Sequence, residues 1–154
     1  MIKQRISLGF SVLWRTYLLY FTYTFVLSLV LGFAFIDLIA AHRGLLLYVP
    51  AFGLVSFALL LTLLETGCHI NLLRFMFGRR LNRPPAAWRS DVLKLSLLLT
   101  LLGTLNALIS RLAPVDVWLP YKAYGGSLLF FVGVFAVGWT QATPSDTAIS
   151  ISPD

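Results

Sequence analysis

The sequence predicts an all-α integral membrane protein: four transmembrane helices in a small bundle, with both termini in the cytoplasm. Three observations carry that expectation. Four apolar runs each approach the length of a bilayer span. Of the 154 residues, 58% are hydrophobic and only 12% charged, with a mean hydropathy of +0.85, a balance that suits lipid better than water. The 12 Lys and Arg residues cluster between the apolar runs and are not interleaved with aromatic residues over a polar face, so the net charge of +6 points to membrane orientation and away from nucleic acid.

The first 15 residues hold Ile6, Phe10, Val12, Leu13 and Trp14 among Lys3, Arg5 and Arg15, a pattern expected of a short amphipathic segment on the inner interface. The first span is expected over 16–36. That run is longer than the apolar core of a signal peptide, and no small-residue cleavage site follows it, so it reads as a retained helix. A second span is expected over 45–64, bounded by Arg43 and Glu65. Beyond it the helix is expected to continue through Ile70, Leu72, Leu73, Phe75, Met76 and Phe77 until Gly78 and the Pro84, Pro85 pair break it.

The third span, 92–110, reaches about 28 Å if Lys94 snorkels. The fourth, 123–139, reaches only about 25 Å, so both are expected to stand nearly upright or thin the bilayer locally. The tail, 140–154, combines Pro, Asp, Ser and Thr without an aromatic residue and is expected to be disordered.

Charge sets the expected orientation. Lys3, Arg5 and Arg15, with Arg74, Arg79, Arg80, Arg83, Arg89 and Lys94 around the basic loop 65–91, lie on one side; only Arg43, Arg111 and Lys122 lie on the other. The richer side is expected inside. Trp14, Trp88 and Trp139 fall at the inner ends of spans, and Trp118, Tyr121 and Tyr124 at the outer end of the fourth, as interfacial belts require. Trp14-Arg15 and Trp88-Arg89 open spans one and three, and Pro50 and Pro120 lie near the outer starts of spans two and four. These matches need offsets of 74 and 70, so an internal duplication is weakly written.

Candidate site residues are few. Glu65, Cys68 and His69 would share one helical face at i, i+3 and i+4, and each side chain can bind a metal. A fourth ligand is missing, since the other histidine, His42, belongs to the opposite membrane face, so no metal or other cofactor is expected and the three residues read as a helix end. The single cysteine excludes an intrachain disulfide.

Small and hydroxylated residues at spacings of three to four, Thr24, Ser28 and Gly32 on span one and Ser96, Thr100, Thr104 and Ala107 on span three, are expected to pack helices or line a path between these spans. Asn106 is the one amide well inside a span. Gly125, Gly126, Gly133 and Gly138 smooth the fourth span for a neighbouring helix, from this chain or from a partner, with the partner preferred. Arg74, Arg79, Arg80, Arg83 and Arg89 are expected to contact the anionic inner leaflet or an acidic partner.

No nucleophile elbow, phosphate loop, dinucleotide fingerprint or paired carboxylates occur among only six acidic residues, and catalysis is not expected. Compact four-span drug exporters place a glutamate deep in the membrane, whereas Glu65 lies at an edge. The expected function is a non-catalytic accessory or scaffold subunit of a membrane complex in the bacterial inner membrane, bound to lipid and to another membrane protein or a second copy. The alternatives are a small oligomeric transporter or channel, and an immunity-type protein that blocks a pore-forming toxin, matched in dimensions only.

Overall fold

The computed structural model describes residues 2–77 and 85–140, with the side chains of Gln4, Ile39, Arg43, Phe77 and Val115 excepted. The tail beyond Thr140 and the positions Gly78, Arg79, Arg80, Arg83 and Pro84 therefore lie outside the described residues. Among these residues there are only helices: α1 (Ile2–Ala34), α2 (Ile36–Ala41), α3 (Val49–Gly67), α4 (Leu72–Phe77), α5 (Pro85–Leu112), α6 (Val115–Pro120) and α7 (Gly126–Thr140), with a 3₁₀ turn over Arg43–Tyr48 and a π turn over Tyr121–Gly125. Four stretches, Arg5–Ala34, Gly44–Gly67, Pro85–Leu112 and Asp116–Thr140, are long and apolar enough to cross a membrane. The chain is an all-α integral membrane protein.

α1 differs from its expected boundaries. It runs unbroken for 33 residues, about 50 Å, so the amphipathic opening and the first span form one helix. No proline interrupts it. Its ring contacts with α7 run in opposite chain directions: Phe10 to Phe135 at 5.3 Å, Tyr17 to Phe131 at 5.7 Å and Tyr20 to Phe130 at 5.3 Å. The helices are antiparallel, and the start of α1 shares one end of the bundle with the finish of α7. This is called the terminal end below. Gly9 lies level with Gly138, almost at the end of α7, so Arg15 stands nearly two turns inside the helix pair instead of at its edge. Thr16 beside it is fully buried.

The most extensive interface joins α3 to α5, followed by α1 with α7 and then α5 with α7. α3 begins with Pro50 in its first turn, where the missing N–H costs nothing. The core lies along one stripe of each helix. Leu54, Phe57, Ala58 and Leu61 of α3 meet Trp88, Val92, Leu95, Leu99 and Leu102 of α5, closed by Val12 of α1, Leu73 of α4, and Phe130 and Val134 of α7. Their spacings of three and four are those of a helix presenting one face. Gly103 lets the two backbones approach: a Cβ there would lie 3.1 Å from the Ala51 carbonyl oxygen and 3.3 Å from the Leu54 Cβ.

The continuous helix expected after α3 is not formed. α3 ends at Gly67, Cys68 caps it, and His69 takes a left-handed φ of 56°, which folds the chain back so that the Ile70 N–H donates to the Leu64 carbonyl at 2.9 Å. A new helix starts at Leu72 because the Asn71 side chain is its N-cap, with Oδ1 accepting from the Arg74 N–H at 2.8 Å. Capping chemistry has overridden apolar continuity. The fourth span is also compound: Pro120 ends α6 without a free N–H, and the π turn over Tyr121–Gly125 carries the chain into α7.

Candidate functional site

Among the described residues, two concavities with polar groups in their walls lie in opposite halves of the bundle. At the terminal end a cavity of about 330 Å³ is lined by Glu65 from the last turn of α3, His69 and Asn71 from the linker, Arg74 of α4, and Trp88 and Arg89 of α5. The helix break assembles it. The reversal at His69 turns the chain back over the end of α3, and the cap at Asn71 then aims α4 past the start of α5.

Two of its polar atoms are buried and lack a hydrogen-bond partner: Oε2 of Glu65 and Nδ2 of Asn71. The amide cannot be flipped to relieve this, because Oδ1 already accepts from the Arg74 N–H, and an N–H₂ group there cannot. Deeper in the bundle, Asp91 is 5% exposed, and Asp91, Arg15 and Trp88 each hold a polar, ionic or ring contact. Asp91 is not among the residues singled out from the sequence. Its signal was its phase: Trp88, Val92, Leu95 and Leu99 are the buried stripe of α5, and position 91 lies on that stripe.

The opposite half of the bundle holds a crevice of about 270 Å³, with Tyr17 and Tyr20 of α1, Asn106 of α5, Tyr121 and Lys122 of the π turn, and Phe130 of α7 among its walls. Near its outer rim the Lys122 ammonium lies 4.6 Å from the centre of the Trp118 ring, a cation–π contact. The Trp118 indole N–H donates to Ser110 Oγ at 3.1 Å, and that hydroxyl in turn donates to the Leu47 carbonyl at 3.3 Å, joining α6, α5 and the 3₁₀ turn.

The predicted site residues are distributed unevenly between these places. Glu65 and His69 line the terminal cavity, but Cys68 is exposed. The three do not share a helical face, because the helix ends before His69. No group of three His, Cys, Asp or Glu side chains among the described residues is arranged to hold a metal ion. Arg74 and Arg89 are exposed at the cavity rim.

The two small-residue stripes do not face each other, since α1 packs on α7 and α3 rather than on α5. Thr24 donates to the Tyr20 and Phe21 carbonyls of its own helix and reaches within 3.8 Å of the Cβ position of Gly53. Ser28 and Gly32 are exposed, and a Cβ on Gly32 would meet nothing within 4 Å. On α5, Ser96 is buried, but Thr100 and Thr104 are exposed and bond back to the Ser96 and Thr100 carbonyls. Steps of four residues drift about 40° per step around a 3.6-residue helix, which takes the stripe off the core face.

Asn106 lines the crevice, with its Nδ2 4.0 Å from the Cβ position of Gly126. The other α7 glycines are occupied from within the chain, against the preference for a partner's helix. A Cβ on Gly133 would lie 2.8 Å from Leu98, and one on Gly138 would lie 2.9 Å from the Gly9 Cα.

Residues 12–142 fit the family described as intracellular septation protein A. The chain belongs to that family. A 68-residue stretch is 32% identical to the inner membrane-spanning protein YciB of Methylibium petroleiphilum, covering 44% of this chain and 33% of that one, so the similarity spans a third of the relative's length. No solved structure matches.

Proposed function

We propose that this protein is a non-catalytic scaffold of the bacterial inner membrane that holds another membrane protein within the septation apparatus, with both termini in the cytoplasm. Membership of the intracellular septation protein A family and similarity to an inner membrane-spanning protein support the setting. The excess of Lys and Arg on the terminal side supports the orientation.

The observation that carries the reading is the open flank of α1. Beyond Thr24, where Leu27 still reaches the Gly53 position of α3, one flank of the helix is open: Phe25, Val26, Leu29, Val30 and Phe33 are exposed, Ser28 is exposed, and a Cβ on Gly32 would meet nothing within 4 Å among the described residues. In lipid, where apolar area alone drives no association, small residues mark the flank on which a second helix packs closely.

A photo-crosslinking residue at Gly32, with one at exposed Leu63 on another helix as control, tests this in intact membranes. A discrete adduct to another inner-membrane protein from position 32 is the expected result, with misplaced or missing septa on deletion of the gene. Lipid adducts alone at both positions, together with normal septation, would refute it. Orientation is tested separately: a reporter fused after Pro84 behaves as cytoplasmic and one at Pro114 as periplasmic.

The crevice around Asn106 supports a second reading, a small transporter. In that case Asn106→Leu abolishes flux in reconstituted vesicles while the fold is retained; absence of substrate-dependent flux removes it.

A further inference from the structure

We propose that the cavity at the terminal end seats the headgroup of a zwitterionic phospholipid bearing a primary ammonium, phosphatidylethanolamine in chemical class, with its ammonium donating to Glu65 and its phosphate accepting from Arg74, Arg89 and the Asn71 amide.

The cavity asks for both signs at once. Glu65 leaves a buried acceptor, Oε2, without a donor, and Asn71 leaves a buried donor, Nδ2, without an acceptor. Buried polar atoms are rarely left so unless water or a ligand completes them. A purely anionic headgroup would satisfy Arg74 and Arg89 but stand against the Glu65 carboxylate; a purely cationic ligand would do the reverse. Choline carries a positive charge but no N–H, so it cannot donate to Oε2, whereas a primary ammonium has three donors.

Position selects a lipid as the source. The walls are the last turn of α3 and the first turn of α5, the level at which membrane-crossing helices meet headgroups. Phe75, next to Arg74, is 83% exposed, and an aromatic ring so placed sits in the interface beside the acyl chains.

The test is retention of lipid by the purified full-length protein, taken from nanodiscs containing equal phosphatidylethanolamine, phosphatidylcholine and phosphatidylglycerol and analysed by native mass spectrometry. One phosphatidylethanolamine per chain is expected, favoured about tenfold over the other two, the effect of one charge-assisted hydrogen bond. Glu65→Gln is expected to abolish the preference over phosphatidylcholine, and Arg74→Ala with Arg89→Ala to lower retention of all three lipids.

The wild-type chain gives a second measurement that needs no folded variant: retention falls in steps as the lipid amine is mono-, di- and trimethylated. Soluble phosphoethanolamine in millimolar excess leaves the bound lipid in place; its displacing the lipid would overturn the lipid as the source. Equal retention of the three lipids by the wild-type protein, or of the methylated series, would show a cavity filled by water alone and overturn the proposal.

Discussion

Replacing Gly138 by alanine perturbs the point where the first and last helices cross most closely. The new Cβ would lie 2.9 Å from the Gly9 Cα, 3.0 Å from the Val12 Cβ and 3.1 Å from the Leu8 carbonyl oxygen, whereas carbon contacts become favourable only near 3.5 to 4 Å. None of these three atoms can swing aside by a rotamer change, so α1 and α7 must part by roughly half an ångström. Overpacking of this kind costs about 1–3 kcal/mol.

Gly32→Ala is the matched control. It lies in a helix as well and so has the same sign of propensity gain, up to about 1 kcal/mol, but its Cβ meets nothing within 4 Å. Gly138→Ala is therefore expected to be less stable than Gly32→Ala by about 1–3 kcal/mol. Thermal or SDS-induced unfolding of both variants in the same lipid-detergent mixture measures the difference. Gly138→Ala matching or exceeding Gly32→Ala in stability would refute the close crossing.

Leu99 of α5 is fully buried in the core, so Leu99→Ala is expected to lose about 2–5 kcal/mol, read in the same unfolding assay. Tyr23→Phe removes the hydroxyl that donates to Ser56 at 2.8 Å between α1 and α3; hydrogen bonds between membrane helices average about 0.6 kcal/mol, and a loss above about 2 kcal/mol would mean that the ring contact with Phe57 had been broken too. His69→Gly relieves a non-glycine residue of its left-handed conformation and is expected to stabilise the protein by about 1 kcal/mol, whereas a His69→Val variant, β-branched at the same φ, is destabilised.

Four spans were legible because hydrocarbon tolerates no exposed backbone: long charge-free runs have helix as their one outcome. Where a span lies along its helix was less legible. Arg15 looks like an edge because a charge is the usual marker of one, yet the α1 register is set by Gly9 meeting Gly138, a pairing between residues at opposite ends of the chain that no local pattern contains. The break before α4 was readable in principle, since an asparagine ahead of an apolar run is an N-cap, but it competed with a longer apolar pattern. Of the sites, Glu65, His69 and Arg89 were visible as ionisable groups near helix ends. Their meeting with Asn71 and Trp88 depends on the chain reversing at His69, and the buried Asp91 shows only in its phase on the α5 stripe.

The antiparallel pairing of α1 with α7 also dictates an order of events during synthesis. About 90 residues separate the end of α1 from the start of α7, roughly 5–20 s of translation at ~5–20 residues per second. Through that interval α1 has only its smaller contacts with α2, α3 and α4, and the groove at Gly9 is without its α7 partner. The central hairpin of α3 and α5 completes itself as it emerges, but the opening helix waits for the closing one. A chain cut short before Gly126 would thus show its defect at the N-terminus, as an unclaimed helix free to be extracted and degraded.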